Sequence, residues 1–227
     1  MSVAKKNFHD PGKYYTYEDY ITWDESLCVE IIDGVIYPRY GSEPMFGPDD
    51  PRIYNMAGPN LVHQEIAVEI STQLRSFLRG KTCRVLTAPF DVKLNPSKNE
   101  GIVQPDILVV CDSKKLENGK YCNGAPEFVI EILSPSTSKK DTHIKSRRYF
   151  DAGVLEYWMV NPEDKTIVVL KRAENCFTFL TYGDKDIVPV SSLEGCTIDM
   201  SLIFPSLPEE EEENSGQAEN SEQEENK

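Results

Sequence analysis

The strongest constraint on this chain is a glutamate set in the middle of an apolar strand, Ala125-Pro126-Glu127-Phe128-Val129-Ile130-Glu131-Ile132-Leu133-Ser134. Side chains alternate faces along a strand, so Glu131 shares a face with Val129 and Leu133, while Ile130 and Ile132 point the other way. A run that is apolar on both faces belongs at the centre of a sheet. A carboxylate buried there without a partner costs several kcal/mol, so the fold must supply a cation, a hydrogen-bonding partner or a shifted pKa. Upstream, Gln104-Pro105-Asp106-Ile107-Leu108-Val109-Val110 places a second acid at the mouth of another apolar run. Two carboxylates on two buried strands suggest a metal ion as the simplest compensation.

The rest of the chain sets the frame for these strands. Its 227 residues suit one domain of ordinary size, expected over residues 1–207. Residues 208–227 hold nine Glu and one Lys, so they account for −8 of the formal charge of −14 and leave −6 for the remainder. With no aromatic or β-branched residue to pack, that segment is expected to be a disordered acidic tail. No run is long and apolar enough to span a membrane, and Met1 to Asp10 lacks the apolar core of a signal peptide, so a cytoplasmic location is expected. Six cysteines without a CxxC pair, mostly within apolar or strand-like runs, are expected to be reduced core residues.

Periodicity and turn residues supply the elements. Thr16 followed by Glu18 and Asp19 reads as a capped short helix. Asp33-Gly34 between two β-rich runs, residues 28–32 and 35–37, reads as a hairpin turn. The Gly-, Pro- and Asp-rich stretch from Gly41 to Pro59 reads as a long loop suited to a lid or a substrate contact. From Asn60 to Arg79 the apolar residues follow a helical period, with Gly80 just after the last turn. Strands are expected over 83–88, 90–94, 107–111, 128–133, 156–160, 166–172 and 177–182, and a second helix over about 139–152, stopping at Gly153. The order describes a mixed α/β domain.

On that second helix Asp141, Lys145 and Tyr149 are spaced four apart and form one stripe, which begins just after the Glu131 strand ends. Asp106, Glu131 and Lys145 can therefore converge: two hard oxygen ligands suited to Mg²⁺ or Mn²⁺, and a cation to orient water or stabilise phosphate charge. Each residue alone has a plainer reading. Asp106 could cap a turn, Glu131 could form a structural ion pair, and Lys145 could be solvated. His63 is as readily a satisfied helix histidine as a site residue. Lys139, Lys140, Arg147 and Arg148 suit a charged helix face slightly better than a phosphate-facing patch. Tyr157 and Trp158 read as core or interface aromatics.

Taken in order, Val29-Glu30-Ile31-Ile32-Asp33-Gly34, His63, Pro105-Asp106, Glu131 to Ser136, Asp141, Lys145, Tyr149 and Gly153 to Trp158 resemble a known group. The pattern is similar to the PD-(D/E)XK phosphodiesterase superfamily and, more closely, to the Uma-type family of bacterial putative restriction endonucleases, over roughly Tyr15 to Leu180. The superfamily lysine stands two residues after the acid, where this chain has Leu133; Lys145 is similar to the migrated lysine of some branches. The resemblance implies a restriction-endonuclease-like mixed sheet flanked by helices. It also implies a Mg²⁺- or Mn²⁺-dependent nuclease acting on nucleic acid, DNA above RNA, with a homodimer as a plausible assembly. By the same resemblance Asp106 and Glu131 bind the metal with the Ile132 carbonyl, Lys145 serves the phosphate or water, and Glu30, His63 and Asp141 are accessory. The rival reading is a nuclease-fold interaction module with a weak or lost site, which Leu133 favours and Lys145 opposes.

Overall fold

The computed structural model describes residues 13–24, 26–45, 47, 50–51, 58–95 and 100–204. The acidic segment 208–227, and with it the expectation of disorder, lies outside the described residues, as does much of the 41–59 loop read as a lid.

Local chemistry starts and stops the elements as expected. Helix α1 (Tyr17–Tyr20) opens with a capping box: the Thr16 hydroxyl accepts from the Asp19 N–H, and the Asp19 carboxylate accepts from the Thr16 N–H. Strands β1 (Val29–Ile32) and β2 (Val35–Pro38) are joined through Asp33 and Gly34, with φ of 56° and 74°. Two positive φ values are what a two-residue hairpin of this twist requires. Only glycine fits the second position, because a Cβ there would run into the Tyr14 ring. Helix α2 (Leu61–Leu78) is capped by Asn60, whose side chain accepts from the His63 N–H at 2.9 Å.

Strands β3 (Arg84–Thr87), β4 (Val92–Asn95), β5 (Glu100–Val103), β6 (Ile107–Val110), β7 (Cys122–Asn123) and β8 (Phe128–Ile132) follow. After a π-helical turn, Lys140–Lys145, come α3 (Ser146–Ala152), β9 (Glu156–Asn161), β10 (Thr166–Arg172), β11 (Phe177–Tyr182), β12 (Ile187–Pro189) and β13 (Thr197–Asp199). A six-stranded sheet runs β11-β10-β9-β8-β6-β3, with β8 and β9 parallel and the other pairs antiparallel. A second, five-stranded sheet runs β2-β1-β5-β4-β7, and β12 pairs with β13.

The alternation read from the Glu131 strand divides the core. Ile130 and Ile132, with Ile107, Val109, Trp158 and Val160, meet Ile66, Ile70, Leu74 and Leu78 of α2 on one face of the larger sheet. Val129 and Leu133, with Leu108, Tyr157 and Met159, meet Tyr149 of α3 and Ile32, Val92, Leu94 and Val103 of the smaller sheet on the other. Glu131 belongs to this second face, between the two sheets. Tyr157 and Trp158 are fully buried core aromatics. No helix among the described residues is long and apolar enough to cross a membrane.

Three expectations need correction. The second helix is not uniform: its first half is the π turn, where Ser146 N–H bonds back to the Asp141 carbonyl five residues earlier. Four short strands, β5, β7, β12 and β13, escaped the pattern because runs of two to four residues show almost no period. Finally, Cys83 and Cys111 form a disulfide, while Cys28, Cys122, Cys176 and Cys196 are free. The antiparallel register explains the bond: Arg84 pairs with Val110, so the next pair outward is Cys83 opposite Cys111.

Candidate metal centre

The register also sets the two acids against each other. Ile107 pairs with Ile130 across β6 and β8, so one step beyond the ladder Asp106 stands opposite Glu131, on the same face. Asp106 Oδ2 accepts the Ile132 N–H at 2.8 Å and lies 3.2 Å from His63 Nε2 on the first turn of α2. Glu131 Oε1 accepts from Lys145 Nζ at 2.9 Å and from the Tyr149 hydroxyl at 2.6 Å. The other oxygens, Asp106 Oδ1 and Glu131 Oε2, accept no hydrogen bond among the described residues.

Lys145 is held from three sides. Its ammonium lies 2.8 Å from Glu30 Oε1, 2.9 Å from Glu131 Oε1 and 3.4 Å from Asp141 Oδ1. Glu30 comes from the smaller sheet and Glu131 from the larger, so one buried cation ties the two sheets together. Glu30 Oε1 also accepts the Gln104 N–H at 2.9 Å, and its Oε2 pairs with Lys140 Nζ at 2.7 Å. Lys140 completes its own shell with the carbonyls of Pro38 and Arg39, at 2.8 and 2.9 Å. The Tyr157 hydroxyl donates to the Asp141 carbonyl at 3.1 Å, fixing the turn to β9.

The π turn is what makes this arrangement possible. In an α-helix residues five apart diverge around the axis, whereas i→i+5 bonding widens the turn and returns them to one side. Lys140 and Lys145 therefore face the same glutamate. Reading Lys140 as a helix-face or phosphate-facing cation was wrong, since it is wholly buried beneath the site. Lys145, too, is buried rather than solvated.

Electrostatics follow from this packing. Burial alone would raise the Glu30 carboxyl, but the Lys140 and Lys145 ammonium groups and the Gln104 N–H outweigh it and hold it at about 2. For Glu131 burial prevails: with Asp141, Asp106 and Glu30 nearby, and Lys145 opposing, its carboxyl is pushed up to about 8. Burial likewise raises Asp141, against Lys145 and Lys140. Burial would lower Lys145, yet Glu131, Glu30 and Asp141 carry it well above the ordinary lysine value. Four carboxylates thus share two lysine charges, and the deficit falls on Glu131.

Glu30 makes a pH prediction. Its folded value, about 2, lies below the reference value of 4.5, so its contribution to stability is complete above 4.5 and lost as the pH falls through 2. Glu30→Gln is expected to cost about 3–5 kcal/mol at neutral pH, the range for breaking a buried ion pair. It should also flatten the acid limb of the stability curve between those values. Urea unfolding of both proteins across that range is the check; superimposable curves would contradict the assignment.

One cleft of about 380 Å³ is lined by His63, Asp106, Glu131, Ile132, Asp141 and Lys145, while Glu30, Lys140, Tyr149 and Tyr157 lie behind its wall. Among the described residues no three of His, Cys, Asp and Glu are grouped to hold an ion by themselves. The donor set still fits Mg²⁺ or Mn²⁺, because such ions are commonly held by one or two carboxylates with water and phosphate oxygens filling the remaining positions. The carboxylates of Asp106 and Glu131, beside the Ile132 main chain, are the two that would hold such an ion.

A mixed sheet flanked by helices, with acids from adjoining strands and a lysine on the following helix beside one cleft, defines an α/β fold of the restriction-endonuclease-like class. Residues 17–201 match the Uma2 family, described as "Putative restriction endonuclease", and the chain belongs to that family. The fold is similar to the crystal structure of "a putative nuclease belonging to DUF820" from Anabaena variabilis, with a TM-score of 0.63 and 18% identity, covering 84% of this chain and 97% of that one. An uncharacterized protein of Synechocystis is 26% identical over 160 residues, 70% of this chain and 82% of its own length.

Proposed function

We propose that the protein is a metal-dependent nuclease that hydrolyses phosphodiester bonds of nucleic acid, DNA foremost, in the cleft between Asp106 and Lys145. The observation that carries this reading is the charge deficit around Glu131: two lysines balance only part of four carboxylates, and Asp106 and Glu131 both line the cleft, each with one oxygen that accepts no hydrogen bond among the described residues. A divalent ion held there would supply the missing charge, and the chemistry it would bring is polarisation of a phosphate oxygen and acidification of water.

The chain's own groups have distinct tasks. Asp106 and Glu131 hold the ion, with the Ile132 carbonyl as a further hard ligand, and the Ile132 N–H fixes the Asp106 rotamer from behind. The Tyr149 hydroxyl and Lys145 both bond Oε1 of Glu131, which fixes the carboxylate and leaves Oε2 as the oxygen for the ion. Of the three Lys145 contacts the longest is to Asp141, so that N–H is the one available to a phosphate oxygen or to the attacking water. Glu30 and Lys140 position Lys145 and touch no substrate. A lysine supplied from the π turn serves the same electrostatic purpose as one supplied from the strand, and Leu133 is then free to pack.

The test is cleavage of a labelled oligonucleotide, single-stranded and duplex, by the full chain in Mn²⁺. Cleavage that chelation by EDTA abolishes is the expected result. A pure protein that cuts neither form with Mg²⁺ or Mn²⁺, yet binds nucleic acid, would support the rival reading of an inactive interaction module.

A further inference from the structure

The cleft does not end at Asp106. A larger groove, about 810 Å³, shares Arg39, Tyr40, Pro59, His63 and Asp106 with it and continues along the outer face of α2 toward Arg79. The helix presents Gln64, Val68, Ser71 and Arg75 to this groove at intervals of three and four, a row that flanks its buried Ile66, Ile70, Leu74 and Leu78 stripe. The far wall is Val85 to Phe90.

The sign of its charge is the notable point. The groove holds the guanidinium groups of Arg39, Arg75 and Arg79, and its sole carboxylate among the described residues is Asp106, at the end shared with the cleft. Arg75 and Arg79 are exposed, and neither forms an ion pair among the described residues. In a chain of net charge −14 this is a local reversal, and no ion pair among the described residues uses it. Exposed arginines are normally shared with acids on the same helix, yet Glu65 and Glu69 do not line the groove, and Glu69 bonds to Gln73 instead.

We infer that this groove is the track for the nucleic-acid strand on one side of the scissile phosphate, with Arg75 and Arg79 gripping its backbone; the inference rests on the nuclease reading of the cleft. The planar guanidinium fork matches phosphate oxygens in two-point contacts. Val68 on the helix and Phe90 on the far wall add apolar surface to the groove, suited to the face of a base or sugar. Arg75 stands twelve residues from His63 and Arg79 sixteen, about 18 and 24 Å along the helix axis. The contacts therefore fall several nucleotides from the reacting phosphate, and they carry affinity rather than chemistry.

The test is binding of a fluorescent single-stranded oligonucleotide, followed by anisotropy across a salt series in EDTA. The proteins compared are wild type, Arg75→Ala with Arg79→Ala, and a charge-matched control outside the groove, Arg147→Ala with Lys185→Ala. The groove variant is expected to bind about tenfold or more weakly. Its slope of log affinity against log salt should be shallower by about 1.4, at roughly 0.7 per lost phosphate contact for a single strand. The control should match wild type, and all three should share one thermal midpoint, since both arginines are exposed. Wild-type affinity and slope in the groove variant would overturn the track while leaving metal-dependent cleavage untouched. Equal losses in variant and control would overturn it as well, as would failure of wild type to bind the strand. Arginine-dependent binding without cleavage would instead sustain the track and sink the nuclease reading.

Discussion

Lys145→Ala is expected to damage the protein twice, in stability and in rate. The ammonium it removes is shared by Glu30, Glu131 and Asp141, all buried. Breaking a buried ion pair by deleting one partner costs about 3–5 kcal/mol, because the remaining charges stay desolvated. Cleavage should also slow by about two to four orders of magnitude, the range for losing a well-placed catalytic group or charge. The two effects can be separated. Glu30 keeps its Lys140 partner in this variant, whereas Asp141 loses its nearest cation; adding Asp141→Asn removes that stranded charge, so the double variant should recover part of the stability but none of the rate, a coupling that a double-mutant cycle measures. Urea unfolding and single-turnover cleavage are the measurements. Full-rate cleavage by the single variant would make Lys145 a structural clamp only.

Asp106→Asn should behave oppositely, leaving the fold intact while abolishing chemistry. The amide is isosteric, and its oxygen can still accept the Ile132 N–H that now meets Oδ2. The group is partly exposed at the cleft, so its loss should change stability by no more than about 1 kcal/mol. What disappears is a negative oxygen facing the cleft, which a hard cation prefers to a neutral amide oxygen. Cleavage should fall by about three orders of magnitude, equivalent to about 4 kcal/mol of transition-state stabilisation.

Much of this site was legible because it rests on strand alternation and burial, which a sequence displays directly. Glu131 within an apolar run and Asp106 at the mouth of another announced themselves by violating the pattern. The Asp33-Gly34 hairpin, the Thr16 cap and the Gly153 stop followed from backbone preferences of those residues. The stripe of Asp141, Lys145 and Tyr149 was visible, but not that Tyr149 bonds Glu131 or that Lys145 is clamped between two sheets. The π turn left no periodic mark, so Lys140 read as a surface cation when it lies under Glu30. Glu30 stood out only through family resemblance, since its partners come from residues 104, 140 and 145, far along the chain. The Cys83–Cys111 bond was hidden for a similar reason: it depends on the register of β3 against β6, which no local pattern states.

The central claim is that Asp106 and Glu131 hold a divalent ion. It is met most directly by calorimetric titration of Mn²⁺ into the wild-type chain and into Asp106→Asn, under identical buffer and salt. Binding at one site per chain in the wild type, weakened at least about a hundredfold in a variant that unfolds at the same urea concentration, is the predicted result; loss of one ligating charge accounts for a change of that size. Equal Mn²⁺ affinity in the two proteins would contradict the account, and no rearrangement of the accessory residues would rescue it.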